Sequence, residues 1–589
     1  MTILINHIGY EPADGTPGTA AAVLQGAEGE TLPDYPEFEV VAPGPGGPDA
    51  GEILFRGTGG KVLSVEGWKN RSFVVLDFSE LRREGRVFLR VRAAGRTLES
   101  PPFTMARGLL VDSCVSDLLF YFKSQRSSGI WDRADRQAPF FGERTGRADV
   151  HGGWFDASGD YSKYLSHLSY AHYMNPQQTP LVVWALLSAE EALGGSAEYK
   201  GTLLRVRARE EALWGADFLM RMQDPEGFFY TTVFDQWNKK PENRMICSYK
   251  TQQGIRLESY QASFRAGGGV SLAALARAAA AEPLAWPENP RGEYAPEEYL
   301  AAAERGWAHL AEKNPGYTSD GRENIIDHYC ALLAAAELFR ATRKEPYLEA
   351  ARERAASLEA CFSREGRTWL VHPEGQRPFF HAAEAGFPAV ALCRYLETEP
   401  EASRREGVLD LVRAAMAAEL EVTGEVANPF RLARQTVQGA GESRRTSFFI
   451  PHSNESGYWW QGENARLASL ACAAGMAARA LEENRPGDEL IPLLHRYGRS
   501  QLDWILGKNP FDMCMLQGRG RNNPRYEDHY PNAPGGICNG ITGGFEDEAD
   551  VDFLPYPAAS RGDQRWRWSE QWIPHGAWFL LALGADPGI

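Results

Sequence analysis

The spacing of hydrophobic positions along the chain changes once. From Ile3 to about Thr104 the apolar residues come in short runs broken by Gly and Pro: Ile3-Leu4-Ile5, Ala20-Ala21-Ala22-Val23-Leu24, Phe38-Glu39-Val40-Val41, Ser72-Phe73-Val74-Val75-Leu76 and Val87-Phe88-Leu89-Arg90-Val91. Runs of this kind predict strands. Pro43-Gly44-Pro45-Gly46-Gly47-Pro48 is expected to be turn or loop. About seven short strands in roughly 105 residues have the size and rhythm of an immunoglobulin-like sandwich. After Gly108 the period becomes about 3.6, and helices are predicted near 109–125, 161–174, 180–194, 200–223, 257–282, 297–313, 326–343, 346–362, 380–397, 402–420, 457–483 and 487–507, with one more at 568–583. Interior helices need apolar residues on most of their surface, which Val182-Val183-Trp184-Ala185-Leu186-Leu187 and Leu470-Ala471-Cys472-Ala473-Ala474 supply. No short repeat of the solenoid kind is visible. The expected architecture is a mostly α chain, a closed ring of antiparallel helix pairs over 107–589 preceded by a small all-β sandwich over 1–106.

Composition narrows the partners. With 62 Lys and Arg against 78 Asp and Glu, the net charge of −16 gives an acidic surface that repels phosphate polyanions. Neither nucleic acid nor an anionic membrane is therefore expected as a partner. No apolar run approaches the ~18 residues a bilayer span needs. Met1 to His7 lacks the cationic head and apolar core of a signal peptide, and the eight scattered cysteines form no C-x-x-C pair. Both features lead to the expectation of a reduced, cytoplasmic protein without a zinc site.

Candidate chemistry lies in the segments between helices. His151-Gly152-Gly153-Trp154-Phe155-Asp156-Ala157-Ser158-Gly159-Asp160-Tyr161 sets two carboxylates four apart among small and aromatic residues. Glycines let backbone approach a ligand, aromatic faces suit the C–H surface of a sugar, and carboxylates serve hydroxyls and proton transfer. The competing structural reading makes Asp160 a helix cap and Asp156 a turn residue. Near the end, Glu570 sits among Trp566, Trp568, Trp572 and Trp578. Such surroundings desolvate a carboxyl and raise its pKa toward that of a proton donor, although an aromatic-rich terminal helix packed in a core explains the same residues. Glu455, Trp459, Trp460 and Glu463 in one loop, and His529 and Tyr530 in another, are candidate substrate contacts. The acidic run Asp547-Glu548-Ala549-Asp550-Val551-Asp552 fits no standard calcium loop, so neither metal nor cofactor is expected.

Gly152-Gly153-Trp154-Phe155-Asp156-Ala157 through Asp160 resembles the Gly-Gly-Trp-Tyr-Asp-Ala-Gly-Asp signature of glycoside hydrolase family 9, and Asn6-His7-Ile8-Gly9-Tyr10-Glu11-Pro12 resembles the Asn-Gln-Val-Gly-Tyr-Leu-Pro opening of that family's accessory immunoglobulin-like module. Tyr121 to Arg126, Leu506 to Pro510 and Pro524 to His529 fall in the family's order. The resemblance implies an (α/α)6 barrel that hydrolyses β-1,4-glycosidic bonds with inversion, with Asp160 as general base, Asp156 helping to hold its water and Glu570 as general acid. Ser158 lengthens the signature by one residue, and Gln571 to Ala577 replaces the family's usual ending after its acid. The lengthened form, with Asn175-Pro176-Gln177-Gln178-Thr179-Pro180, is most similar to exo-acting β-glucosaminidases, which release glucosamine from the nonreducing end of chitosan oligosaccharides. A β-1,4-glucanase or cellodextrinase is the alternative. In the first case the ammonium should meet Glu455 or Glu463.

Overall fold

A computed structural model of the chain describes all residues except 13–17, 45–46, 168–173, 194–201, 251–253, 285–288, 526–531, 554–563 and 587–589 and the single positions Glu455, Tyr458 and Trp460. Nine strands open the chain: β1 (Thr2–Leu4), β2 (Gly9–Tyr10), β3 (Ala21–Gln25), β4 (Glu37–Gly44), β5 (Gly47–Thr58), β6 (Phe73–Asp77), β7 (Gly85–Ala93), β8 (Arg96–Glu99) and β9 (Phe103–Met105). They form a three-stranded sheet in the order β1-β3-β6 and a larger one in the order β2-β9-β7-β4-β5, with β8 added on β7. Ile3, Ala22, Leu24, Val74 and Leu76 of the small sheet meet Phe38, Val40, Leu89, Val91 and Phe103 of the large one in a shared core. The intervening Leu4, Val23 and Phe73 point the other way, into the core of the helical part. Successive strand residues face opposite sides, so a sheet buried on both faces reads as an unbroken apolar run, which is what β1 and β3 show. The hairpin of β4 and β5 extends into the Pro-Gly stretch that was expected to be loop alone. β5 is an edge strand, where a proline's missing N–H breaks no ladder.

The helical part begins at Leu109, four residues after the last strand of the sandwich. It contains α1 (Leu109–Gln125), α2 (Gly129–Asp135), α3 (Thr179–Leu193), α4 (Thr202–Arg221), α5 (Gly269–Ala279), α6 (Pro296–Lys313), α7 (Ile325–Thr342), α8 (Glu345–Ala360), α9 (Phe387–Leu396), α10 (Ala402–Gly424), α11 (Glu463–Asn484), α12 (Leu490–Ile505), α13 (Trp566–Ser569) and α14 (Ile573–Ala585). Helices α3, α5, α7, α9, α11 and α14 contact one another in that order, and α14 returns to α3, closing a ring of six. Around it α4, α6, α8, α10 and α12 each pack on the inner helix that precedes them, and α1 packs on α14. This is an (α/α)6 barrel. Inner helices such as α7 and α14 are buried nearly all round and carry apolar residues on every face, whereas the outer α6 is half polar.

The segments leading into the six inner helices bond to one another and define one end of the barrel. Gln177, before α3, donates from its side chain to the carbonyl of Arg265, before α5, and from its backbone to Glu384, before α9. Arg265 in turn bonds Asp327 in the first turn of α7. Several expected helices begin inside their apolar patterns, and one is not helical over its described residues. The one near 257–282 is regular only from Gly269, and that near 380–397 only from Phe387, next to Pro388. Over 161–167, where a helix was expected, the chain is loop and strand; 168–173 lie outside the described residues. Besides the short pair β10 (Ala138–Pro139) and β11 (Arg147–Ala148), a four-stranded sheet of β12 (Lys163–Tyr164), β13 (Thr232–Phe234), β14 (Met245–Lys250) and β15 (Ile255–Leu257) sits at this end. Among the described residues no helix is long and apolar enough to cross a membrane.

Candidate active site

The loop from Val150 to Ser162 is fixed from below by buried charge. Lys163, at the start of β12, donates to the carbonyls of Val150 and Gly152 at 2.7 and 2.8 Å and pairs with Asp135 at 2.7 Å. Arg244 makes two hydrogen bonds to the same Asp135 and a third to the Tyr161 carbonyl. Gly153 has φ of 71°, and a Cβ there would meet the Phe218 ring at 2.8 Å, so the turn that drops Trp154 into the core needs glycine twice over. Trp154 is fully buried and donates from its indole to Glu211 at 2.7 Å.

Past this anchor the two carboxylates emerge with different partners. Asp156 accepts from the Trp572 indole at 2.9 Å on one oxygen and bonds His167 at 3.0 Å on the other. Asp160 caps no helix. Its Oδ1 accepts from the Ser162 N–H at 2.7 Å, and its Oδ2 from the Tyr164 hydroxyl at 2.8 Å and the Trp237 indole at 3.1 Å. Burial, and then the neighbouring charges of Asp156 and Asp235, push its pKa up to about 6, against the pull of those donors. A carboxylate with this pKa is ionised at neutral pH and more basic than an ordinary one, which suits it to take a proton from water. Asp235 accepts from the Ser162 hydroxyl at 2.8 Å and from the N–H groups of Trp237 and Lys239, and so sets the turn that aims the Trp237 indole.

Trp237 and Tyr249, whose hydroxyl bonds His167, were not singled out from the sequence, and Tyr164 and His167 stood out only as neighbours of the signature, with no role assigned to them. They reach the carboxylates through the β12–β15 sheet. The run Phe228-Phe229-Tyr230-Thr231-Thr232-Val233-Phe234 was the available signal for it. Glu384 was missed as well. It is fully buried, accepts from Tyr329 at 3.1 Å and from the Gln177 N–H, and burial pushes its pKa up to about 8.

Glu570 lies 410 residues beyond Asp160 yet on the neighbouring backbone. Ala157 and Trp572 form an antiparallel bridge, the Ser158 N–H donates to the Gln571 carbonyl at 2.9 Å, and the Ile573 N–H donates to the Asp156 carbonyl at 3.1 Å. Glu570 is half-buried, in extended conformation between α13 and α14. Burial, and then the charges of Asp156 and Glu570, raise the pKa of Tyr121 in α1 well above the ordinary value. The segments carrying the three predicted catalytic carboxylates therefore lie side by side at the inner-helix N-terminal end.

The predicted substrate contacts divide. Trp459 packs 3.8 Å from the His452 ring and edge-on to Trp568, beneath the Arg567 guanidinium, and is 9% exposed. Glu463 is the first residue of α11, is 3% exposed and pairs with the buried Arg466 at 2.8 Å, a core pair rather than an acceptor facing outward. Glu455, Trp460, His529 and Tyr530 lie outside the described residues. In the acidic run, Asp547 pairs with Lys69, Glu548 with Arg445, and Asp550 and Asp552 accept from backbone N–H groups. Among the described residues no group of three or more His, Cys, Asp or Glu is arranged to hold a metal ion.

The family model for glycosyl hydrolase family 9 matches residues 112–536, most of the helical part. The chain belongs to that family and is an enzyme that hydrolyses glycosidic bonds. The matched stretch ends short of Glu570. A xyloglucan-specific endo-β-1,4-glucanase of Bacteroides ovatus is 22% identical over 584 residues, 92% of this chain and 90% of that protein. Endoglucanase 15 of Arabidopsis thaliana is 24% identical over 428 residues, 70% of this chain and 76% of that protein. Among solved structures, a metagenome-derived glycoside hydrolase family 9 endoglucanase superposes with a TM-score of 0.67 at 20% identity, covering 100% of this chain and 99% of its own. A thermostable endoglucanase of Alicyclobacillus acidocaldarius gives 0.63 at 18% identity with full coverage of both chains.

Proposed function

We propose that this chain is an inverting β-1,4-glycosidase acting on oligosaccharides of gluco-configured sugars at the inner-helix N-terminal end of the barrel. Asp160 takes the proton of the attacking water, Asp156 helps to hold that water, and Glu570 protonates the leaving oxygen. The observation that supports this reading is the backbone pairing of 156–158 with 571–573, which brings the segments that carry Asp160 and Glu570 side by side. An inverting hydrolase needs its two carboxyl groups held about 6.5–9.5 Å apart with room for a water, and no covalent intermediate. The names of the relatives support β-1,4-glucan fragments, cello-oligosaccharides, as substrate. A second reading, release of glucosamine from the nonreducing end of chitosan oligosaccharides, is favoured by the lengthened signature. It is also favoured by the grouping of Asp156, Asp160 and Asp235, because the nearby Arg244 is itself committed to Asp135. A desolvated ammonium needs such anionic surroundings. Residues 1–106 serve in this proposal as an immunoglobulin-like accessory domain to the barrel of 107–589. A cytoplasmic site of action is supported by eight cysteines that are all buried and unpaired.

Proton NMR of the first product, run on cellotetraose and on the glucosamine tetramer, tests both levels. The α-anomer appearing first is the expected result, and the β-anomer first would overturn the mechanism. The oligomer cut faster decides the substrate.

A further inference from the structure

The residue that lengthens the signature has its own place in the site. The Ser158 hydroxyl accepts from the Gln571 N–H at 3.0 Å and donates to the Asn532 side-chain carbonyl at 3.2 Å. The Asn532 amide in turn donates to the Ser569 carbonyl at 2.9 Å. The peptides on both sides of Glu570 are thus gripped at once, the following one by Ser158 and the preceding one by Asn532. Gln571 extends the grip, exchanging two 2.8 Å hydrogen bonds between its side-chain amide and the backbone of Ala533. The Glu570 carbonyl itself accepts from Asn539 at 2.8 Å. A serine hydroxyl both donates and accepts, and an alanine or glycine at this position could do neither. None of the three groups that hold Asp160, the Ser162 N–H, Tyr164 and Trp237, involves Ser158.

We propose that Ser158 is a positioning residue for the acid: carried on the base's own loop, it fixes the backbone of Glu570 relative to Asp160 and so sets the separation of the two carboxyls. The inference rests on Glu570 being the general acid, and it makes a distinction that a general structural role would not. Loosening the acid alone slows only substrates whose leaving group must be protonated, whereas disturbing the base or the fold slows all substrates alike.

The test compares kcat and KM of Ser158→Ala, Ser158→Thr, Asn532→Ala and Glu570→Gln on cellotetraose and on dinitrophenyl β-cellobioside, whose leaving group needs no proton. The glucosamine counterparts replace these if the wild type prefers them. Ser158→Ala and Asn532→Ala should lose about 10- to 100-fold in kcat on the tetramer, the scale of a misplaced catalytic group, with KM nearly unchanged. Both should stay close to wild type on the aryl substrate, and Ser158→Thr, which keeps the hydroxyl, should recover most of the tetramer activity. Equal loss on both substrates, or no loss on the tetramer, in Ser158→Ala and Asn532→Ala would overturn the proposal. Glu570→Gln separates this failure from that of the acid assignment. If it shows the leaving-group split and the two positioning variants do not, only the role of Ser158 is wrong. If it shows no split, the acid assignment falls and the positioning role falls with it.

Discussion

Asp160 shows how a single residue is tuned by what surrounds it. Burial raises its pKa first, and the charges of Asp156 and Asp235 raise it further, to about 6. In the proposed mechanism the ionised form acts as the base, so kcat/KM is expected to fall as pH drops through about 6. Removing one neighbouring negative charge favours ionisation, and Asp156→Asn should therefore move this limb to lower pH, whatever it does to the maximal rate. A pH–rate profile of the two proteins checks the sign; an unmoved limb would remove Asp156 from the electrostatics of the base. Asp156, Asp160 and Glu570 were candidates because they sit among glycines and tryptophans, a setting that a cap, a turn or a packed helix also explains, and their roles came from the family resemblance. The residues that hold them were not legible. Tyr164 and Trp237 are 73 apart in sequence and meet on one carboxylate oxygen. No local pattern announces that, and Trp237 reaches it from a turn of left-handed residues, with φ of 59° at Gln236 and 54° at Trp237.

At the level of elements, four of the six inner helices are joined through one buried carboxylate. Glu337 of α7 accepts from the Trp184 indole of α3 and from Arg277 of α5, each at 2.8 Å, and pairs with Arg394 of α9 at 3.5 Å. Burial alone would raise its pKa, but Arg277, Arg394 and Trp184 together hold it down at about 2. Because the folded pKa lies below the unfolded one, this carboxylate stabilises the fold above about pH 4.5, and the contribution is lost as pH falls toward 2. Glu337→Gln leaves Arg277 with the half-exposed Glu191 and Arg394 with Glu397 as counter-ions, and should cost up to about 3 kcal/mol at neutral pH, with a smaller difference near pH 3. Urea unfolding at the two pH values measures it, and an equal cost at both would place the effect in packing instead. Helices of the ring were legible from their 3.6-residue period, as at Ile325–Thr342 and Thr179–Leu193. The β12–β15 sheet was not, because strands of two to six residues are too short for alternation to emerge from the surrounding helical pattern.

For the whole molecule, the sandwich is joined to the barrel through the barrel's own core. Trp68, from the loop before β6, packs against Phe430, Phe448 and Trp504 of the barrel, and Asn6 donates to Asp503 at 2.9 Å. His7 reaches Asp512 at 3.1 Å. Two residues of the Asn6-to-Pro12 motif are thus joints between the parts, a role that the motif's sequence alone does not reveal. Trp68→Ala should cost about 3–5 kcal/mol. Calorimetry should show one transition shifted down; a sandwich melting separately from an unshifted barrel would contradict the shared core. The toroid brings the segment of residue 570 back to that of residue 160, and in the proposed mechanism activity depends on the carboxylate of Asp160. The most direct test is the turnover of Asp160→Asn on the preferred oligosaccharide, beside its thermal midpoint. A loss of about 10²–10⁴-fold or more with the fold retained is the predicted result, and a rate above a tenth of the wild type would contradict the assignment of Asp160 as the base.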